Sequence, residues 1–215
     1  MRCLEEGSYL CNQCRQLASP LALHKCVVCG NKSPRGLTCW ECRRETVLTG
    51  AVSFGTYRTA WIKRGVGWLK FKSVKEVAPV LGALMAWPVL QIAPLKELQA
   101  RAVLVPIPLH EQREKIRGFN QSEEIVRSLA QASGIPWVNL LERTRPTSPQ
   151  AQIEKNKRKL NVEGAFKQVA PLSANHQIVI LVDDVLTTGA TMEAAANSME
   201  PRQHSQTWAL TMARG

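Results

Sequence analysis

The sequence of 215 residues is long enough for one full domain and a small appendage, because domains cluster near about 100–150 residues. Hydrophobic residues make up 45% and charged residues 21%, which excludes an intrinsically disordered or fibrous chain. Lysine and arginine outnumber the acids 28 to 17, a formal charge of +11 that favours polyanionic partners such as nucleic acid or phosphorylated substrates without choosing between them.

At the start, Met1-Arg2-Cys3-Leu4-Glu5-Glu6 has no apolar stretch behind its positive charge, so no secretory signal is expected and the chain reads as cytoplasmic. All seven cysteines fall within the first 42 residues, six of them as Cys11-x2-Cys14, Cys26-x2-Cys29 and Cys39-x2-Cys42. That composition break divides the chain into a cysteine-rich head, residues 1–50, and a second domain, residues 51–215. Thiols in a reducing compartment are better used as metal ligands than as disulfides, and two CxxC turns supply the four sulfurs of a structural Zn2+ site. Cys26, Cys29, Cys39 and Cys42 are the most compact set. Cys11 and Cys14 are left over; a second site could combine them with Cys3, but Glu6 stands where a fourth thiolate is needed. Thioredoxin-like redox chemistry is the competing reading of a single CxxC, and three in tandem in a strand-poor head argue against it. A zinc clip that staples a small subdomain is the expected role, with nucleic-acid contact as an addition.

Val52–Tyr57 reads as a strand and turn, followed by a helix with Ile62, Val66 and Leu69 near helical spacing. This stretch is also basic and aromatic. Tyr57, Trp61 and Lys70, with their neighbours, could stack bases and bind phosphates of single-stranded DNA; the alternative is that the aromatics pack inward and the lysines face solvent. Val77 to Leu95 carries no charge and approaches the length of a bilayer span, but Pro79, Gly82, Pro88 and Pro94 would break a lipid-exposed helix, so a buried helix around Val80–Trp87 is expected and no membrane span.

Ala102–Pro108 is a short β-branched run, a strand ended by its two prolines, Pro106 and Pro108. Arg113, Lys115 and Arg117 follow it, at a strand end where α/β folds gather ligands. Ser122–Ala132 predicts a helix begun by Asn120 and ended by Gly134 and Pro136. Residues 143–166, rich in charge, amides, Pro and Ser, predict a mobile loop whose Lys155, Lys157, Arg158 and Lys159 could close over a phosphate.

The most informative run is Ile178 to Met192. Five apolar residues without alternation predict a strand buried on both faces, as in a parallel sheet, and Met192, Ala195, Ala196 and Met199 mark the helix after it. A strand-to-helix junction aims free backbone N–H groups at one spot, with Thr187, Thr188 and Thr191 hydroxyls to hand and Gly189 permitting close approach; it suits a phosphate. Asp183 and Asp184 are the only aspartates in the chain. Carboxylates beside a phosphate repel it, so they are expected to face hydroxyls or a divalent cation; a ribose 5-phosphate with Mg2+ satisfies both.

The run VILVDDVLTTGATM resembles the phosphoribosyl pyrophosphate (PRPP) motif of type I phosphoribosyltransferases. The cysteine pairs, VPIPLHEQREKIRGFNQSE and RTRPTSPQAQIEKNKRKLNVEGAF narrow the resemblance to the ComF family of competence-associated proteins, over nearly the whole chain. The resemblance implies an α/β fold, a parallel-sheet type I phosphoribosyltransferase-like domain preceded by a small zinc ribbon. It implies that Asp183 and Asp184 hold the ribose hydroxyls. Thr187, Thr188, Gly189, Ala190 and Thr191 would hold the 5′-phosphate, and Arg113, Lys115 and Arg117 are candidates for the pyrophosphate side. Gln150, Arg158 and Asn161 match a flexible hood. It further implies PRPP with Mg2+ as ligand and a part in natural transformation, handling incoming single-stranded DNA beside a competence helicase or recombination mediator. A metabolic phosphoribosyltransferase with unknown acceptor is the alternative. Two features depart from the family: the first cysteine pair is reduced to Cys3, and Glu200–Ser205 lacks the usual Gly-Ala turn before the final strand.

Overall fold

A computed structural model of the protein describes residues 24–147, 158–200 and 204–215. A four-stranded, wholly parallel sheet forms the centre, in the order β1 (Gly50–Thr56), β6 (Gln206–Arg214), β5 (Ile178–Leu186), β2 (Ala102–Pro106). A two-stranded antiparallel ribbon, β3 (Leu141–Arg143) with β4 (Phe166–Gln168), stands apart from it. The α/β architecture with a parallel sheet, expected from the sequence, is what the chain adopts.

Both faces of the sheet are covered, which is why its strands read as unbroken apolar runs. Ile178, Ile180 and Val182 of β5 face one apolar layer; Val179 and Leu181 face the other. The first layer is built from α1 (Ala60–Phe71), α2 (Ala78–Val89), α3 (Leu95–Arg101) and α5 (Gln121–Ser133). The second contains α7 (Ala190–Asn197), the β3–β4 ribbon and Val27 from the cysteine-rich segment. Each large aliphatic side chain fully buried in these layers contributes about 1.5–3 kcal/mol.

The uncharged stretch forms α2, longer than the expected Val80–Trp87, with Pro79 in its first turn, where a missing N–H breaks no ladder bond, and Pro88 in its last turn, where one i→i−4 bond is lost. Gly82 explains how it packs: a Cβ there would lie 2.5 Å from the Ile125 carbonyl oxygen, so α2 and α5 touch at backbone distance. Among the described residues no helix is long and apolar enough to cross a membrane.

Three local expectations change. Leu95–Arg101 is helical, as is α4 (Glu111–Arg117), where the sequence reading recognised only a run of charge. The 143–166 segment, expected to be an irregular loop, begins on β3 and ends on α6 (Arg158–Val162) and β4; Arg143 pairs with Phe166, so the ribbon closes the base of the segment. Residues 148–157 lie outside the described residues. Helix α7 ends at Asn197, short of the expected Met199, which is nonetheless buried.

Candidate functional site

Strand β5 runs between β2 and β6, so its last residues deliver the loop to the middle of the sheet's carboxyl edge, where open parallel sheets bind ligands. Gly189, at φ +81°, is the N-cap of α7 and makes the turn that a side chain would strain. Thr187 is exposed, Thr188 half-buried, and the Thr188 hydroxyl accepts from Ala190 N at 3.4 Å. Thr191 opens the helix. The first-turn N–H groups of a helix point out of its leading end, here toward this loop.

Asp183 and Asp184 stand just before it and have unlike surroundings. Asp183 is half-buried; its Oδ1 accepts from Ser122 Oγ at 2.9 Å and from the Asp184 backbone N–H at 2.8 Å. Burial, with the Asp184 charge second, raises its pKa to about 6. Asp184 is 1% exposed and its Oδ1 meets Lys70 Nζ of α1 at 2.7 Å. Burial opposes the Lys70 ammonium, but the Asp184 and Asp183 charges outweigh it and its pKa is raised.

Three guanidinium groups complete the surroundings. Arg113 on α4 donates to the Thr147 carbonyl oxygen, and Arg143 on β3 donates to the Thr147 hydroxyl. Arg143 is 9% exposed, lies over the Phe166 ring at 5.2 Å, and keeps a buried Nε with no hydrogen-bond partner among the described residues. Burial and the nearby Arg113 lower the Arg143 pKa to about 10, still charged at neutral pH, and Asp183 supports that charge. Burial lowers Arg117 too; Asp184 and Asp183 support its charge and Arg113 opposes it. Among the described residues these guanidinium groups share the two aspartates as counter-charges, and like charges gathered in this way raise the local positive potential.

The residues singled out in the sequence therefore separate. Asp183, Asp184, Arg113, Arg117 and the Thr187–Thr191 loop come together. Lys115 lies outside, with a 74% exposed side chain paired to Glu111 on the same helix. Lys70, considered for nucleic acid, faces the acid pair. Trp61 packs edge-to-face on Phe54, with ring centroids 5.8 Å apart, and Tyr57 lies against the same core. Arg158 and Asn161 lie on α6; Gln150 lies outside the described residues. Arg143 and Ser122 were not singled out, and their only sequence signal is weak: an arginine opening a charged run, and a serine in a helix's first turn.

The cysteine-rich segment packs on the same edge of the sheet. Its chain turns at Gly30, φ +75°, with Gly30 N donating to the Cys26 carbonyl oxygen at 3.1 Å. The Sγ atoms of Cys26, Cys29, Cys39 and Cys42 lie within 4.8 Å of one another, with Cys29 and Cys39 at 3.8 Å. A tetrahedron of sulfurs about 2.3 Å from zinc has edges of about 3.8 Å, so the cluster could hold a zinc ion. Burial opposes ionisation of Cys26, but hydrogen bonds from the backbone at Cys39, Cys29 and Val28 outweigh it and bring its pKa to about 6, favouring the thiolate a metal needs. Cys3, Cys11 and Cys14 lie outside the described residues.

The segment is tied to the sheet by Arg214, which donates to the carbonyl oxygens of Lys25 and Cys26 at 3.0 and 2.7 Å. The Thr46 hydroxyl donates to Glu193 of α7, and Val47 N reaches the same carboxylate at 3.1 Å. A cavity of about 220 Å³ lies between segment and loop, lined by Val27, Thr46, Thr188 and Gly189 but also by Glu45 and Glu193, whose charge does not suit an anion.

No family model matches the chain. It is 35% identical over 129 residues to the DNA utilization protein YhgH of Salmonella typhimurium, a match covering 60% of this chain and only 56% of that relative. It is 27% identical over 203 residues to the competence protein ComFC of Bacillus subtilis, covering 91% of this chain and 80% of the relative. The competence protein F of Haemophilus influenzae is 27% identical over 67% of this chain and 65% of its own length. With a four-cysteine cluster set before a parallel α/β sheet, these likenesses support an assignment to the ComF family of competence-associated proteins.

Proposed function

We propose that the chain binds PRPP, with Mg2+, at the β5–α7 loop and serves natural competence by handling incoming single-stranded DNA. One observation carries the sugar-phosphate reading: a threonine-lined turn at a helix's leading end is flanked by an acid pair and ringed by Lys70, Arg113, Arg117 and Arg143. The loop suits the 5′-phosphate, the Asp183 carboxylate suits a ribose hydroxyl or the cation, and the guanidinium groups suit the pyrophosphate. Mg2+ would offset the charge of the pyrophosphate oxygens. The DNA part is supported by relatives named for competence and DNA utilization, and by the overall charge of +11.

Calorimetric titration with PRPP and Mg2+ should give saturable heat for the parent and none for Asp183→Ala. A parent that binds no PRPP at any magnesium concentration would refute the reading. Complementing a deletion strain with the Asp183→Ala chain should leave transformation impaired, and full recovery would separate the pocket from the DNA role.

A further inference from the structure

The two neighbouring acids are not equivalent. Asp184 is 1% exposed, and one of its oxygens is committed to Lys70 Nζ at 2.7 Å; the other, Oδ2, is buried with no hydrogen-bond partner among the described residues. Asp183 is anchored through a single oxygen, Oδ1, by Ser122 and the Asp184 backbone. That anchoring fixes its carboxylate and leaves Oδ2 as the oxygen that can turn to a ligand.

We propose that Lys70 is the built-in counter-cation of this pair, a positioning residue that neutralises Asp184 so that Asp183 alone meets the sugar or its metal. This rests on the proposed sugar-phosphate reading and assigns within it which acid touches ligand. The physical need is plain. Two uncompensated carboxylates on one strand end would repel an incoming polyanion and would capture a divalent cation directly between them. An ammonium on Asp184 removes one negative charge and occupies the place a metal would otherwise take. Lys70 comes from the last turn of α1, a helix fixed by Ile62, Val66 and Leu69 in the core, so its reach to β5 is set by the packing.

The test compares the full-length parent with Lys70→Met, Lys70→Arg and the double variant Lys70→Met/Asp184→Asn, which removes both charges should the single change impair folding. Without sugar phosphate, Mn2+ titrated by electron paramagnetic resonance should bind Lys70→Met at least tenfold more tightly than the parent. Lys70→Arg and the double variant should stay within about threefold of the parent. At saturating Mg2+, Lys70→Met should bind PRPP about tenfold more weakly than the parent, and Lys70→Arg should not. Parent-like Mn2+ affinity in Lys70→Met, whatever its thermal midpoint, would overturn the assignment and reduce Lys70 to a structural ion pair. The Mn2+ arm decides this even if the parent binds no PRPP, so the two ideas fail separately.

Discussion

Replacing Asp183 by Asn should stabilise the protein above pH 6 and leave it unchanged near pH 4. The carboxyl of Asp183 is raised from 3.8 to about 6 in the folded chain, by burial first and by the Asp184 charge second. Between those two values the folded state binds more protons than the unfolded state, so stability falls as the pH rises through the window. The full shift corresponds to about 3 kcal/mol. Because the residue is only half-buried, solvent screens part of it, and about 1–2 kcal/mol is the expected loss. Asparagine cannot ionise and keeps an oxygen to accept from Ser122 Oγ and Asp184 N, so the variant should escape that loss with the local geometry intact. Urea unfolding at pH 3.5, 5.0 and 7.5, without added magnesium, measures the difference directly. Parent and variant should converge at the lowest pH and diverge in the variant's favour as the pH rises. A difference that does not grow with pH, or that favours the parent at pH 7.5, would show that the Asp183 carboxylate carries no such penalty.

Other outcomes follow from single contacts. Gly36→Ala should cost about 2–4 kcal/mol in chemical denaturation, because φ there is +75° and the new Cβ would lie 2.2 Å from the Ala51 carbonyl oxygen. Cys29→Ser should abolish stoichiometric zinc in protein purified anaerobically and lower the thermal midpoint, since it removes one of four sulfurs; unchanged zinc content would exclude the cluster as the metal site.

Several features were legible in the sequence because each is a local pattern with a local cause. Val179–Val182 had to lie between two covered faces, since an unbroken apolar run has no side to give to water. The strand, the Asp-Asp pair, the threonine turn and the helix after it follow from their order along the chain. So does the gathering of Cys26, Cys29, Cys39 and Cys42, because two short turns leave little freedom once a cluster forms. A helix around Val80–Trp87 was legible from its apolar composition, but its continuation to Ala78 and Val89, through Pro79 and Pro88, was not.

What the chain order could not convey was which distant side chains meet the acids. Lys70 lies more than a hundred residues from Asp184, and its neighbours suggested a basic aromatic stripe; only the packing of α1 against the sheet turns it inward. Arg143 reads as one charge among many until β3 pairs with β4 and lays it over Phe166 beside Arg113. Lys115 shows the reverse, equal in sequence to its arginine neighbours yet placed on the outer side of α4 by the helical turn. Sequence fixes the chemical types available at each position, whereas charge–charge energies depend on separations through space that only the folded sheet and its helices set.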